Sequence, residues 1–278
     1  MKFNTHISKA DLHGHTVNSD GELTVLEILK EVNERGLDYY AITDHDCLDG
    51  ADEACNYNKE TKTKIIYGIE LSTYNLGEHV HILGYFKDKL DNDCSLRKLL
   101  EEQRRSRKIR AYKMFDLLEK HFNIVLDRSV IESRKSITRG TIARLIISSG
   151  YNYTSNEIFN KLIGPGCPCF LPSTNLSTFD GIKIIHENGG LAVLAHPCLL
   201  EKNDVNDIVK MGIDGIEAIY PKTFNTETKY RDIARKNNLI VTAGSDFHSY
   251  HDGKHGEIGT CVIKGIEVDR FLDRLNRC

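Results

Sequence analysis

The sequence predicts an α/β fold in which a parallel sheet closes, or nearly closes, into a barrel, with a helical segment inserted between two of its strands. Three observations predict it. Seven short apolar runs have the length and composition of buried strands, helix-period segments separate most of them, and the runs repeatedly end in His, Asp or Glu. Apolar strands alternating with amphipathic helices indicate a parallel sheet covered on both faces, whose functional groups gather at the carboxyl ends of the strands.

The strand candidates are, in order, HISKADLH (6–13), YYAITDH (39–45), KIIYGIEL (64–71), HVHILGYF (79–86), LAVLAHP (191–197), GIEAIY (215–220) and IVTAGSDFH (240–248). Between them, LTVLEILKEVNERG carries Leu23, Leu26, Ile28, Leu29 and Val32 and stops at Gly36. FDGIKIIHENGG carries Ile182, Ile184 and Ile185 and stops at Gly189-Gly190, and NTETKYRDIARKNN carries Tyr230, Ile233 and Ala234. Residues 88–170 break the alternation. SLRKLLEEQRRSRKIRAYKMFDLLEKH (95–121) sets Leu96, Leu99, Leu100, Met114, Phe115 and Leu118 at helical spacing, and TIARLIISSG and NEIFNKLIG are shorter helices ended by glycine. The expected organisation is a first part of the barrel at 1–87, a helical insertion at 88–170 and the second part of the barrel at 171–278.

Composition narrows the function classes. With 37 basic and 40 acidic side chains in 278 residues, the net charge of −3 offers no global field toward nucleic acid or a membrane. MKFNTHISKA has no apolar targeting core, and no apolar run approaches the ~18 residues of a membrane span. A soluble, cytoplasmic protein with no membrane partner and no obligate protein partner is expected. The eight cysteines form no CxxC pair, and Cys167 and Cys169 are a lone C-x-C, read as ordinary reduced thiols.

The chemistry begins at KADLHGHTVNSDGE (9–22). Residues i and i+2 of a strand share a face, so His13 and His15 can aim at one point. Other strand ends add Asp44 and His45, Glu70, His79 and His81, His196, and Asp246 with His248. Neutral imidazole is the commonest metal ligand and a carboxylate can bridge two cations. Carboxylates gathered in one closed site repel one another unless cations sit among them, so a multi-ion centre is expected. His6, His121, His186, His251 and His255 are read as structural or surface histidines, and His79 as a non-ligand. The basic run RRSRKIR (104–110) is read as a solvated helix face balanced by Glu101 and Glu102; the competing reading is a docking patch for RNA.

Together DLHGHTVNSDGELT, AITDHDCLDG, GIELST, VHILGYF, GGLAVLAHP and VTAGSDFH resemble the polymerase and histidinol phosphatase (PHP) superfamily, over nearly the whole chain and in the order of its stand-alone phosphoesterases. The resemblance implies a distorted (β/α)7 barrel (PHP fold) with an inserted small helical cap subdomain and two to three divalent ions, Mn²⁺, Zn²⁺ or Fe²⁺. It implies His13, His15, Glu70 and Asp246 around the first ion, with Glu70 bridging to a second held by His81 and His196. It implies Asp20, His45 and His248 around the third. Asp11 and Asp44 precede ligand histidines and are expected to orient imidazoles by hydrogen bonds.

ITRGTIARLIISSGY is similar to a Gly-Arg-Pro-His-Ile-Ala-Arg pattern of the family, which makes Arg139 the expected holder of a substrate phosphate. Gly140 and Thr141 replace the Pro and His, Pro165 stands where many relatives have Lys, and SYHDGKHGEIGT departs from the usual His-Gly opening. The implied activity is hydrolysis of a small phosphate ester, first a nucleoside 3′,5′-bisphosphate or related nucleotide, by metal-bridged hydroxide. Glu70 would act at the reacting centre, and Asp20, His248 or a third-ion water would protonate the leaving oxygen. The alternatives are a cyclic-phosphate dihydrolase acting on a phosphoribosyl cyclic phosphate, a 5′-3′ exonuclease on short RNA, and a non-catalytic metal-binding module. The last would show lost ligand positions, whereas all nine here hold competent ligand types.

Overall fold

The structure, a computed structural model, describes residues 6–57, 61–133, 137–172, 176–222, 225–250 and 253–278. His251 lies outside them. Two compact units emerge, one of residues 1–97 with 175–278 and one of residues 98–174.

The first unit is the barrel. Its strands are β1 (Lys9–Asp11), β2 (Tyr39–Ile42), β3 (Lys64–Asn75), β4 (Glu78–Phe86), β5 (Gly190–Leu194), β6 (Gly215–Ile219), β7 (Ile240–Ala243) and β8 (Ile263–Lys264). They form one eight-stranded sheet in the order β7-β6-β5-β4-β3-β2-β1-β8. Its two ends nearly meet: the Leu12 N–H donates to the Ala243 carbonyl at 2.9 Å, and Gly14 bridges Phe247 in parallel. The α/β barrel stands as the sequence predicts, but the sheet is mixed rather than parallel. β4 runs antiparallel to β3 and β5, and β8 antiparallel to β1. Only Leu76 and Gly77 separate Asn75 from its partner Glu78, and both have positive φ, 46° and 79°. Two such residues can close only a hairpin, because a parallel crossover needs a dozen or more. β8 has two residues, too few to show a period in the sequence.

The helices of this unit are positioned by local signals. In α1 (Val25–Glu34), Thr24 and Glu27 cap each other reciprocally, Val25, Ile28, Leu29 and Val32 are buried, and Gly36 at φ 65° ends the turn. Leu26, counted with the apolar stripe from sequence, points outward. α2 (Asp49–Cys55) follows β2. A long helix, α3 (Ser95–Phe122), begins just before the second unit.

Within the barrel, Ala10, Leu12, Ala41, Ile66, Leu83, Tyr85, Leu191 and Val193 form an apolar plug. The period of two then carries this inner face from apolar residues to polar ones along single strands: Ile66 to Glu70 on β3, and Tyr85 and Leu83 to His81 on β4.

The second unit is helical. After α3 come α4 (Ser129–Ser133), α5 (Arg139–Ser148) and a short α6 (Ser155–Glu157) that runs into a π-helical turn at Ile158–Ile163. Met114, Phe115 and Leu118 of α3 pack with Ile131, Ile142, Ile146 and Leu162. The run RRSRKIR is not wholly a solvated face. Gln103 and Arg107 are buried, because positions four apart on α3 share the side that carries Met114 and Leu118. Arg104 reaches Glu101 at 3.8 Å, and Lys108 pairs with Glu132 at 2.7 Å. Cys169 is buried, its N–H bonded to the Leu162 carbonyl, and among the described residues no cysteine joins a group able to hold a metal.

The chain then returns to the barrel through α7 (Thr178–Glu187), α8 (Val205–Val209), α9 (Glu227–Lys236) and α10 (Ile266–Leu275). From α10, Val268, Phe271 and Leu275 join the plug, Phe271 edge-on to Tyr85 at 5.2 Å.

Candidate metal centre

Reversal of β4 is what assembles the site. Chemistry gathers at the carboxyl ends of parallel strands, yet His81 stands near the start of β4; because β4 runs backward, its start lies beside the ends of its neighbours. His81 thereby reaches Glu70 of β3, with Nδ1 2.8 Å from Oε1. His196, just past β5, brings Nε2 to 2.9 Å of the same oxygen. The other carboxylate oxygen of Glu70, Oε2, meets His45 Nδ1 at 3.0 Å, His15 Nε2 at 3.2 Å and His13 Nε2 at 3.3 Å. Five imidazoles from four separate chain segments therefore surround one fully buried carboxylate.

Asp246 forms a second hub. Its Oδ1 lies 3.1 Å from His15 Nε2, 3.2 Å from His13 Nε2 and 3.5 Å from His248 Nδ1. At the outer edge, Asp20 Oδ1 lies 3.2 Å from His248 Nε2 and 3.9 Å from His15 Nδ1. The structure thus brings together all nine residues singled out around the ions. His79, on the same face of β4 but nearer the hairpin, packs edge-on against Tyr74 instead.

The donor atoms fit divalent cations. His13 Nε2, His15 Nδ1, His45 Nδ1 and Glu70 Oε2 are all buried without a hydrogen-bond partner. The other nitrogen of His13 donates to Glu217 Oε1 at 3.0 Å, so Nε2 is the nitrogen that faces Glu70 and Asp246. Lone pairs converging on carboxylate oxygens repel unless positive charge lies between them. Three groups of donor atoms, each within 4.8 Å of one another, could hold an ion: His13, His15, Glu70 and Asp246; His15, Asp20, His45 and His248; and His45, Glu70 and His81. A fourth, Asp246 with His248 and His255, was not foreseen. His255 stacks on His248 with ring centroids 4.2 Å apart, so it belongs to the edge of the cluster rather than to the surface.

Titration properties report the same field. Burial alone would lower the imidazole of His13, but Asp246, Glu217 and Glu70 hold it well above its ordinary value. His45 is likewise desolvated, yet Glu70 and Asp20 raise it to about 10. Burial would raise Glu70, Asp246 and Asp20; the surrounding histidines hold all three well below the usual carboxylate range. The buried carboxylates demand positive charge in their midst, which either protons on imidazole or divalent ions can supply.

Sequence reasoning missed the groups that hold this cluster in register. Glu217, fully buried on β6, uses Oε1 to fix His13 and Oε2 to accept the His196 N–H at 2.7 Å. Its one legible signal was an acid inside the apolar run GIEAIY. Tyr220 donates its hydroxyl to Asp246 Oδ2 at 3.1 Å. Asp11 and Asp44 orient loops, not imidazoles. Asp11 accepts from the Ser245 hydroxyl and N–H and from the Gly259 N–H, while Asp44 accepts from Thr16 and Ser19. Each carboxylate is short and projects from a strand end, so it reaches the backbone of the adjacent ligand loop before any ring. Burial raises Asp11 to about 6 in spite of these bonds.

Two glycines and two strained residues complete the local fit. A Cβ on Gly14, between the two histidines of HGH, would fall 1.8 Å from the Tyr40 hydroxyl. One on Gly244 would fall 2.1 Å from His13 Cβ and 2.5 Å from Glu217 Oε1. His196 (φ 28°) and Asp246 (φ 52°) adopt left-handed backbone that non-glycine residues avoid, a strain concentrated at functional positions.

Arg139 belongs to the inserted unit, at the first position of α5 behind the N-cap Thr138. Its guanidinium lies over the Phe170 ring, 5.5 Å from the centroid, and burial together with nearby Arg107 lowers its pKa.

A family model described as the PHP domain matches residues 11–161. The 5′-3′ exoribonuclease of Haemophilus influenzae is 30% identical over 248 residues, spanning 86% of this chain and 90% of that protein. The 3′,5′-nucleoside bisphosphate phosphatase of Chromobacterium violaceum is 30% identical over 259 residues, 89% of this chain and 90% of that protein. The phosphoribosyl 1,2-cyclic phosphate 1,2-diphosphodiesterase of Eggerthella lenta is 28% identical over 256 residues, 89% of this chain and 95% of that protein. A crystal structure from Bifidobacterium adolescentis, provisionally described as a metal-dependent phosphoesterase, superposes with a TM-score of 0.83 at 27% identity, covering 95% of this chain and 96% of that one.

Proposed function

The chain belongs to the PHP domain family and is a phosphoric ester hydrolase, and from that premise we propose that it removes phosphate from a small nucleotide, first a nucleoside 3′,5′-bisphosphate, with two to three divalent ions. The observation that carries this reading is the Glu70 carboxylate, whose two oxygens face two different sets of imidazoles: His13, His15 and His45 on one side, His81 and His196 on the other. That is the arrangement a bridging ligand requires.

In this reading His13, His15, Glu70 and Asp246 would hold one ion, Glu70, His81 and His196 a second, and Asp20, His45 and His248 a third. Bound there, the ions supply an acidified water as nucleophile and Lewis-acid neutralisation of the phosphate oxygens; Mn²⁺, Zn²⁺ and Fe²⁺ all suit mixed nitrogen and oxygen ligands. The chain's own contribution is positional. Glu217 keeps the His13 proton on Nδ1 and so presents Nε2 to the site. Protonation of the leaving oxygen would fall to Asp20, His248 or a water at the third ion. Arg139 grips a substrate phosphate through its guanidinium fork.

The relatives named above act on a bisphosphate, a cyclic phosphate and RNA at nearly equal identity, so product analysis is the test. After Mn²⁺ reconstitution the protein is offered adenosine 3′,5′-bisphosphate, a ribose cyclic phosphate and a 5′-phosphorylated RNA pentamer. The expected result is one phosphate and AMP from the bisphosphate at the highest kcat/KM. Stepwise mononucleotide release from the pentamer, or ring opening followed by monoester hydrolysis, at a higher kcat/KM would replace this substrate with the corresponding alternative. No turnover of any of the three by metal-replete protein would overturn the reading.

A further inference from the structure

At the far end of β7 from the ligands Asp246 and His248, the barrel carries a cluster of arginines. A cavity of about 580 Å³ opens against Leu239, Ile240 and Val241 at the start of β7, between α9 and α10. Arg231, Arg235, Arg270, Arg274 and Arg277 line it. Helical spacing puts them there. Arg231 and Arg235 are four apart on α9, while Arg270, Arg274 and Arg277 follow one face of α10 and the turn after it, opposite Val268, Phe271 and Leu275 in the plug.

Neighbouring acids pair with three of these five arginines. Arg231 is held by Glu227 at 2.7 Å and by Glu267, Arg235 by Asp232 at 2.9 Å, and Arg274 by Asp214 at 3.1 Å. Arg270 and Arg277 make no ion pair or side-chain hydrogen bond with the described residues, and Asp273, the remaining acid of the wall, pairs with neither. Guanidiniums facing one cavity repel until an anion enters, and their forked donors match phosphate oxygens two at a time. The volume is that of a small-molecule site and exceeds what one inorganic ion fills. The apolar floor of Leu239, Ile240 and Val241 suits a base or similar flat group.

We propose that this cavity binds a nucleotide-sized ligand bearing at least two phosphate groups, at a site separate from the metal centre. The ligand would rest against the helix that plugs the barrel.

ADP, inorganic pyrophosphate and a ten-nucleotide RNA are titrated calorimetrically into the full-length, metal-replete protein and into its Arg270→Ser/Arg277→Ser variant. Both side chains are exposed, so the variant retains the fold. Expected is at least a tenfold loss of ADP affinity in the variant, disappearance of the rise in melting temperature that ADP gives the wild type, and unchanged phosphate-ester hydrolysis. Asp273→Asn, which removes an acid from the wall, tightens ADP severalfold. Superimposable ADP and pyrophosphate titrations of the wild type and the serine variant would overturn the proposal. So would a difference between the two proteins seen only with RNA, which would mark the surface as a strand contact.

Discussion

The two ends of the barrel are built on the same strands and carry opposite chemistry under opposite conditions. At the mouth, Glu70, Glu217, His13 and His15 are fully buried. Their charges act at low effective dielectric, where neighbours set the protonation of His13 and Glu70. At the foot, the arginines stand largely in water, the Arg235 side chain being 78% exposed. The difference teaches where substitutions propagate. At the mouth, removal of one partner leaves another buried and uncompensated, whereas at the foot water replaces what is lost.

The largest expected effect is at the hub. Glu70→Gln removes the charge that both imidazole sets face, and should abolish retention of at least two ions and lower kcat/KM about a thousandfold or more. Metal analysis after dialysis, alongside the rate, checks this; full metal content and activity in a folded variant would break the contrast between the two ends. Next is Glu217→Gln. Its amide can satisfy only one of the two donors, His13 Nδ1–H or the His196 N–H, now served by the carboxylate. Metal affinity or activity should fall about 10- to 100-fold, as for carboxylates behind ligand histidines generally. Chelator competition measures it.

A third test uses pH. His45 rises from an ordinary 6.5 to about 10 in the folded chain. The folded state therefore binds the extra proton more tightly, and the stability this gives is full below about 6.5 and lost as pH climbs to about 10. Metal-stripped protein should accordingly melt lower at pH 9 than at pH 6.5, all else equal. Ion binding requires unprotonated rings, so Mn²⁺ should raise the melting temperature more at pH 8 than at pH 6. Parallel trends with and without metal would sink the assignment. The smallest effect belongs to the foot: Arg235→Gln breaks an exposed pair with Asp232 and should move the melting temperature by no more than about 1 °C.

Much of the centre was legible because its residue types are conspicuous where they occur. An imidazole or carboxylate closing an apolar run is costly to bury without a purpose, so His13, Glu70, His196 and Asp246 advertise themselves. What was not legible depended on direction and partners. HVHILGYF reads the same whether the strand runs up or down, and only the two-residue turn at Leu76-Gly77 makes it run backward. Glu217 looked like one acid in a strand until His13, 204 positions away, arrived beside it. His255 was read as a structural or surface residue and Arg107 as part of a solvated face because their surroundings come from other segments, His248 in one case and the helical core in the other.

The sequence by itself determined the local matters: where apolar runs begin and stop, which helices end at glycine, and which side chains can bind a cation. These follow from backbone sterics and side-chain chemistry acting over a few residues. Tertiary structure alone decided that five imidazoles would meet one carboxylate, which nitrogen of His13 faces it, and how far each group's proton affinity moves. Those outcomes rest on Coulomb interactions and desolvation between segments from eleven to more than two hundred residues apart, and such energies exist only once the strands have closed around them.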